Sequence, residues 1–120
     1  MTAKDIISKA IVMLGYNDEQ GNTSDSRFQI AAKNALKIVY SDLFYCLNSK
    51  GFEEIKSLTD EIKLPERVLN NVMPYGVASF IAESIGDGEK QQFFTVIYNR
   101  KRTQLTNFED MEDGIPYPDY

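Results

Sequence analysis

The chain has 120 residues, 42% of them hydrophobic and 26% charged, with a net charge of −5. That length predicts one domain with a core of its own. The absence of histidine removes the commonest general base and metal ligand, the single Cys46 excludes an internal disulfide, and no apolar run reaches the ~18 residues of a membrane span.

The first predicted helix runs from about Ala3 to Leu14. Thr2 and Asp5 form a capping-box pair, Ile6, Ala10, Met13 and Leu14 share a face that Ile7 and Ile11 widen, and Gly15 can close the helix in the left-handed conformation. This start is amphipathic and interrupted by Asp5 and Lys9, unlike a signal peptide, which predicts an intracellular protein. YNDEQGNTSDS then reads as an exposed loop.

The second helix is the longest, from Asp25 or Ser26 to Leu47, with Ser24 or Asp25 as its cap. Phe28, Ala32, Ala35, Leu36, Val39, Leu43, Phe44 and Leu47 recur at helical steps, and Asn48, Ser49 and Gly51 end it. FEEIKSLTDEIKLP fits neither period well. Residues 52–63 read as an irregular or short-strand connection, with no Asn-Gly turn to anchor a hairpin.

A third helix is predicted from Pro65 to Ile85, on a face of Leu69, Val72, Met73, Val77, Phe80 and Ile81. Pro74 should kink or break it and push Met73 toward extended geometry, while Gly76 and Ala78 would let another helix come close. Gly86–Gly88 is a turn, with Asp87 as cap of a fourth helix reaching about Thr106. Phe94, Ile97, Tyr98, Lys101 and Leu105 share its inner face, with Phe93 alongside. The fold class is therefore all-α: a four-helix bundle-like domain over 1–108, followed by an extended, acidic C-terminal arm over 109–120.

Charge is unevenly placed. Residues 109–120 hold five acids and no base, whereas 1–108 hold 13 of each sign. Bulk attraction to nucleic acid is not expected of a neutral body with an acidic tail. The triplet Arg100, Lys101 and Arg102 has three readings. As a helix end, each cation offsets unpaired carbonyls for about 0.3–1 kcal/mol. As a surface, the triplet could dock an acidic protein or line a DNA channel. Residues about 100° apart on a helix cannot all face one groove. The arm, with Asp110, Glu112, Asp113, Ile115, Pro116, Tyr117 and Tyr120, reads by composition as a solvated, disordered end; the alternative is an extended arm docking on a neighbouring subunit, since it mixes acids with rigid aromatic contact area as binding segments do. An enzyme is not expected. Glu53 and Glu54 are adjacent and diverge, Cys46 has no histidine to activate it, and there is no phosphate loop, calcium loop or dinucleotide turn. No metal or cofactor is implied.

LPERVLNNVMPYGVASFIAESIGDGEKQQFFTVIYNRKRTQL resembles the head–tail connector (adaptor, head-completion) proteins of tailed bacteriophages. The resemblance is carried by Leu64-Pro65, Pro74-Tyr75-Gly76, Gly86-Asp87 and Tyr98 to Arg102. Upstream, Met13-Leu14-Gly15 and the Ala35–Leu43 segment agree, as does Ile115-Pro116 in the tail. It covers most of the chain and adds little at 16–24 and 52–63. It implies a ring, a dodecamer in related connectors, beneath the portal protein in the virion neck. Such a ring joins the DNA-filled head to the tail or the next neck protein, and DNA passes through it without sequence-specific binding. The chain could be a monomer in isolation, in the host cytoplasm, before assembly. Asp110 to Tyr120 would be the arm, with Arg100 to Arg102 where the last helix gives way to it. The alternative is a small helical DNA-binding or DNA-packaging-related phage protein with the triplet on phosphates.

Overall fold

A computed structural model of the protein describes residues 1–16, 26–48 and 50–109. It is mostly helical: α1 (Ala3–Leu14), α2 (Ser26–Cys46), α3 (Glu66–Asn71), α4 (Met73–Ser84) and α5 (Gly88–Glu109). The described residues contain no strand, only an isolated antiparallel bridge between Thr2 and Glu61. None of their helices is long and apolar enough to cross a membrane.

The first helix begins and ends where its sequence signals say. Thr2 Oγ1 accepts from the Asp5 N–H while the Asp5 carboxylate accepts from the Thr2 N–H. At the other end Tyr16 N–H bonds Ile11 O and Gly15 N–H bonds Val12 O, which closes the helix with a Schellman motif. The first N–H groups of a helix have no partner inside it. Here the 52–63 connection supplies them: Ala3 N–H reaches Asp60 O and Lys4 N–H reaches Leu58 O. The connection holds its own bend through Asp60, whose carboxylate accepts from the Lys56 and Ser57 N–H groups. Its apolar residues Ile55 and Ile62 are buried in the core, and Phe52 leans on Tyr40 and Phe44 of α2. Irregular backbone that caps a helix and fills a core gap has no need of a strand ladder.

The expected third helix is two helices. α3 stops at Asn71, Val72 leaves the helical region at φ −122°, and α4 restarts at Met73. Pro74 is the physical cause. Its ring would collide with the carbonyl of residue 70 in a continuous helix, whereas as the second residue of a new one it needs no N–H. The break is thus one residue earlier than expected, and Met73 is helical rather than extended.

Gly86 and Asp87 join α4 to α5 in three residues. Gly86, at φ 79°, gives its N–H to Glu83 O, and Asp87 N–H reaches Ala82 O. The same Asp87 then caps α5 by accepting from Lys90 N–H through its side chain at 3.2 Å. No glycine or proline lies between Glu89 and Asp113, so nothing stops α5 at Thr106, and it continues to Glu109. The second helix ends at Cys46, one residue short of Leu47, with Asn48 left-handed at φ 52°. Its proposed caps Ser24 and Asp25, and the side chain of Phe28, lie outside the described residues, as does 17–25.

α4 packs against all four other helices. Its residues Val77, Ala78, Ser79, Ile81 and Ala82 are buried, and Ile6, Ile11, Leu14, Leu36, Leu43, Leu69 and Met73 fill the space around it. Each large aliphatic side chain so buried contributes about 1.5–3 kcal/mol. The closest approach is to α5, as Gly76 anticipated. A Cβ at Gly76 would stand 2.7 Å from the Tyr98 ring. Gly76→Ala should therefore destabilise the fold by about 1–3 kcal/mol through forced separation of α4 and α5, measured by urea unfolding. An unchanged midpoint would show that Tyr98 moves freely.

Candidate protein-interaction surface

Among the described residues, no three His, Cys, Asp or Glu side chains lie together as a metal site. The polar groups that do converge hold helices to one another. At one end of the molecule Asp87 accepts from the Tyr16 hydroxyl at 2.5 Å, and Lys90 Nζ donates to Leu14 O at 2.7 Å while standing 4.5 Å from the Tyr16 ring centre. These contacts join the end of α1 to the start of α5. Burial, then the Asp87 carboxylate, push the Tyr16 hydroxyl up to about 12.

The second cluster joins α2 to α5. Asp42 accepts from Arg102 Nε at 2.6 Å and Nη2 at 2.9 Å, and from the Tyr98 hydroxyl at 2.7 Å. Burial raises the Asp42 carboxyl, but the bonds from Arg102 and Tyr98 and the Arg102 charge outweigh it and hold it below the ordinary carboxylate range. Tyr98 is raised, first by burial and then by Asp42. This cluster forms part of the wall of an open groove of about 380 Å³ between α2, α4 and α5, with Ile38, Phe80, Glu83 and Gln91 also lining it.

The basic triplet is accordingly split three ways, as the 100° step requires. Arg102 is half-buried on Asp42, Lys101 lies 5.0 Å from the centre of the Tyr75 ring, and Arg100 is exposed. The reading of these residues as a helix end is corrected. α5 runs seven residues past Arg102, and its last turn holds no basic residue. The offset of terminal carbonyls therefore does not apply to them. Asp110, Glu112, Asp113, Ile115, Pro116, Tyr117 and Tyr120 lie outside the described residues.

Exposed apolar residues were legible only in part. Phe93, expected beside the core face, is 60% exposed, with Val96 a turn further on. On α2, Ile30, Ile38 and Tyr45 are 76%, 50% and 83% exposed. At 100° per residue they fall within an arc of about 80°, with Lys33 and Lys37 bordering it over a further ~60°. All three are off the face set by Ala32, Ala35, Leu36, Val39 and Leu43. That offset was the available signal. No family model, curated protein or solved structure matches the chain.

Two outcomes follow for the Asp42 cluster. Arg102→Ala should cost about 1–2 kcal/mol, since a half-buried carboxylate loses a bidentate partner that water only partly replaces. Arg100→Ala should cost almost nothing in the same urea titration. The Asp42 carboxyl is lowered on folding, so its contribution is present above the ordinary value of 3.8 and is lost as pH falls through the lower folded value. The stability difference between the native chain and Asp42→Asn should be constant near neutrality and shrink below that value; a difference unchanged down to full protonation would contradict the assignment.

Proposed function

We propose that this chain is a structural connector of a tailed-bacteriophage neck, assembling as a ring beneath the portal and joining the DNA-filled head to the tail. In this reading the helices act as a four-helix bundle-like unit, α3 and α4 counting as one broken helix, and 110–120 is the extended arm. The partners are the portal protein, the tail or next neck protein, and further copies of the chain.

The supporting observation is the placement of large exposed apolar side chains on two different helices, Ile30, Ile38 and Tyr45 on α2 and Phe93 and Val96 on α5. A ring is built by heterologous contact, one face meeting an unlike face of the next copy. Contiguous exposed apolar side chains mark protein-binding surfaces, and Phe93 and Val96 lie one turn apart on α5. The segments that carry the resemblance to connectors lie at junctions of the fold. Pro74-Tyr75-Gly76 starts the central helix, Gly86-Asp87 turns the chain, and Tyr98 with Arg102 braces α5 on α2. A body of balanced charge suits a channel that DNA must traverse, because strong phosphate binding would hold the genome back.

The DNA-binding alternative is weaker. Two of its three proposed phosphate contacts are engaged within the fold, by Asp42 and by Tyr75. A gel shift separates the readings. The connector should show little binding, and steeply salt-dependent binding abolished by replacing the triplet would favour the alternative.

Mixed with purified portal rings and imaged by electron microscopy, the protein should form a stacked complex. No association with portal or tail proteins would defeat the proposal. A chain ending at Phe108 should keep the helical circular dichroism of the parent but fail to complete heads.

A further inference from the structure

α5 has a second face that the packing of the domain does not use. Its core side is set by the buried residues Phe94, Tyr98 and Leu105. At 100° per residue, Glu89, Phe93, Val96 and Arg100 fall within an arc of about 60°, centred roughly 150° away from that side. All four are exposed, Phe93 at 60% and Val96 at 52%. Their four-three-four spacing is that of a coiled-coil seam, the row along which one helix meets another.

The two ends of the row are opposite in charge, and neither charge is used inside the molecule. Glu89 and Arg100 make no ion pair among the described residues. No base stands three or four positions from Glu89, and no acid stands three or four positions from Arg100. The two are about 16 Å apart along the helix, too far to meet each other. A place in the first turn suits Glu89 as a helix-start charge, but Arg100 is in mid-helix, where no terminal carbonyls need it.

The symmetry of the row selects its partner. Glu89 and Arg100 are equally distant from a point between Phe94 and Thr95, and so are Phe93 and Val96. A second α5, turned antiparallel about a two-fold axis through that point, sets Glu89 opposite Arg100 and Phe93 opposite Val96, each pair twice. A parallel neighbour in register would set acid on acid and base on base. The row thus complements itself antiparallel and repels itself parallel. Phe93 is also held in advance, with its ring edge-on to Phe94 at 5.1 Å between centroids, so that contact costs it little freedom.

We infer that two copies of the chain pair antiparallel through α5, Phe93 of each packing on Val96 of the other and Glu89 of each meeting Arg100 of the other. An isologous contact closes at two copies. The pair is therefore a state apart from the proposed ring and does not depend on it, and any other use of the Phe93–Val96 face requires the pair to separate. Three helical turns a side bury less than about 1,200 Å², the range of weak, reversible complexes. A dissociation constant on the order of 100 µM is expected.

Sedimentation equilibrium of the full chain, from about 10 µM to about 1 mM, tests this. The native chain should pass from monomer to dimer mass and go no further. Arg100→Glu should weaken the pair at least about tenfold by setting acids opposite each other, and Glu89→Arg should do so by setting bases opposite each other. Both substitutions in one chain exchange the ends of the row and should restore association to within about threefold. Mixed together, the two single variants should pair with each other although neither pairs with itself. Phe93→Ser should also remove the dimer. Circular dichroism should be the same for every variant, and Arg100→Glu, away from the helix start, keeps the charge test independent of helix stability.

A native chain that stays monomeric at every concentration would overturn the inference, as would a dimer indifferent to Phe93→Ser and Arg100→Glu. Assemblies that grow beyond two copies would show a head-to-tail contact and overturn the two-fold arrangement. A doubly substituted chain that keeps its circular dichroism but regains no association would overturn the register.

Discussion

The close approach of α4 and α5 at Gly76 is the constraint on which the remaining architecture depends. The Tyr98 ring occupies the space that any side chain at position 76 would fill. Because α4 can be approached so nearly, α5 settles deep enough for the Tyr98 hydroxyl and the Arg102 guanidinium to reach Asp42 on α2. Three helices are thereby fixed by one small residue and one carboxylate. The tight Gly86-Asp87 turn keeps α4 and α5 in register for that contact, and Asp87 also holds the end of α1 through Tyr16.

This arrangement engages some of the chain's charge internally. Asp42, Asp87, Lys90, Lys101 and Arg102 all work between or beside helices. Large apolar side chains are left exposed on α2, at Ile30, Ile38 and Tyr45, and on α5, at Phe93 and Val96. Half-buried ionic contacts such as Asp42–Arg102 add modest stability, but their geometry sets which faces of neighbouring helices are left outside. By pinning Asp42 inward, the cluster leaves α2 with lysines as its outward charge.

The break between α3 and α4 belongs to the same logic. A continuous helix from Pro65 to Ile85 would carry Leu69 and Val72 away on one straight axis. With the axis interrupted at Val72, Val68, Leu69 and Met73 are all buried around the same core. The 52–63 connection can then run across the start of α1, where its carbonyls serve helix N–H groups that would otherwise be unpaired.

Much of this was written in local sequence, and the reason is that the controlling interactions are short-range. Thr2 with Asp5, Gly15, Asp87 and the apolar spacings of α1 and α2 act within one or two turns, so they mark helices wherever the chain happens to be. Pro74 announced a break for the same reason, although steric relief one residue upstream decided its position. What only the tertiary structure decided were contacts between residues far apart in the chain. Nothing near Arg102 indicates that Asp42, 60 positions away, will take it, or that Lys101 will lie on Tyr75 while Arg100 remains outside. The exposure of Ile30, Ile38, Tyr45 and Phe93 was equally undetermined. An apolar side chain is buried only if another element comes to cover it, and that depends on where the other helices are placed.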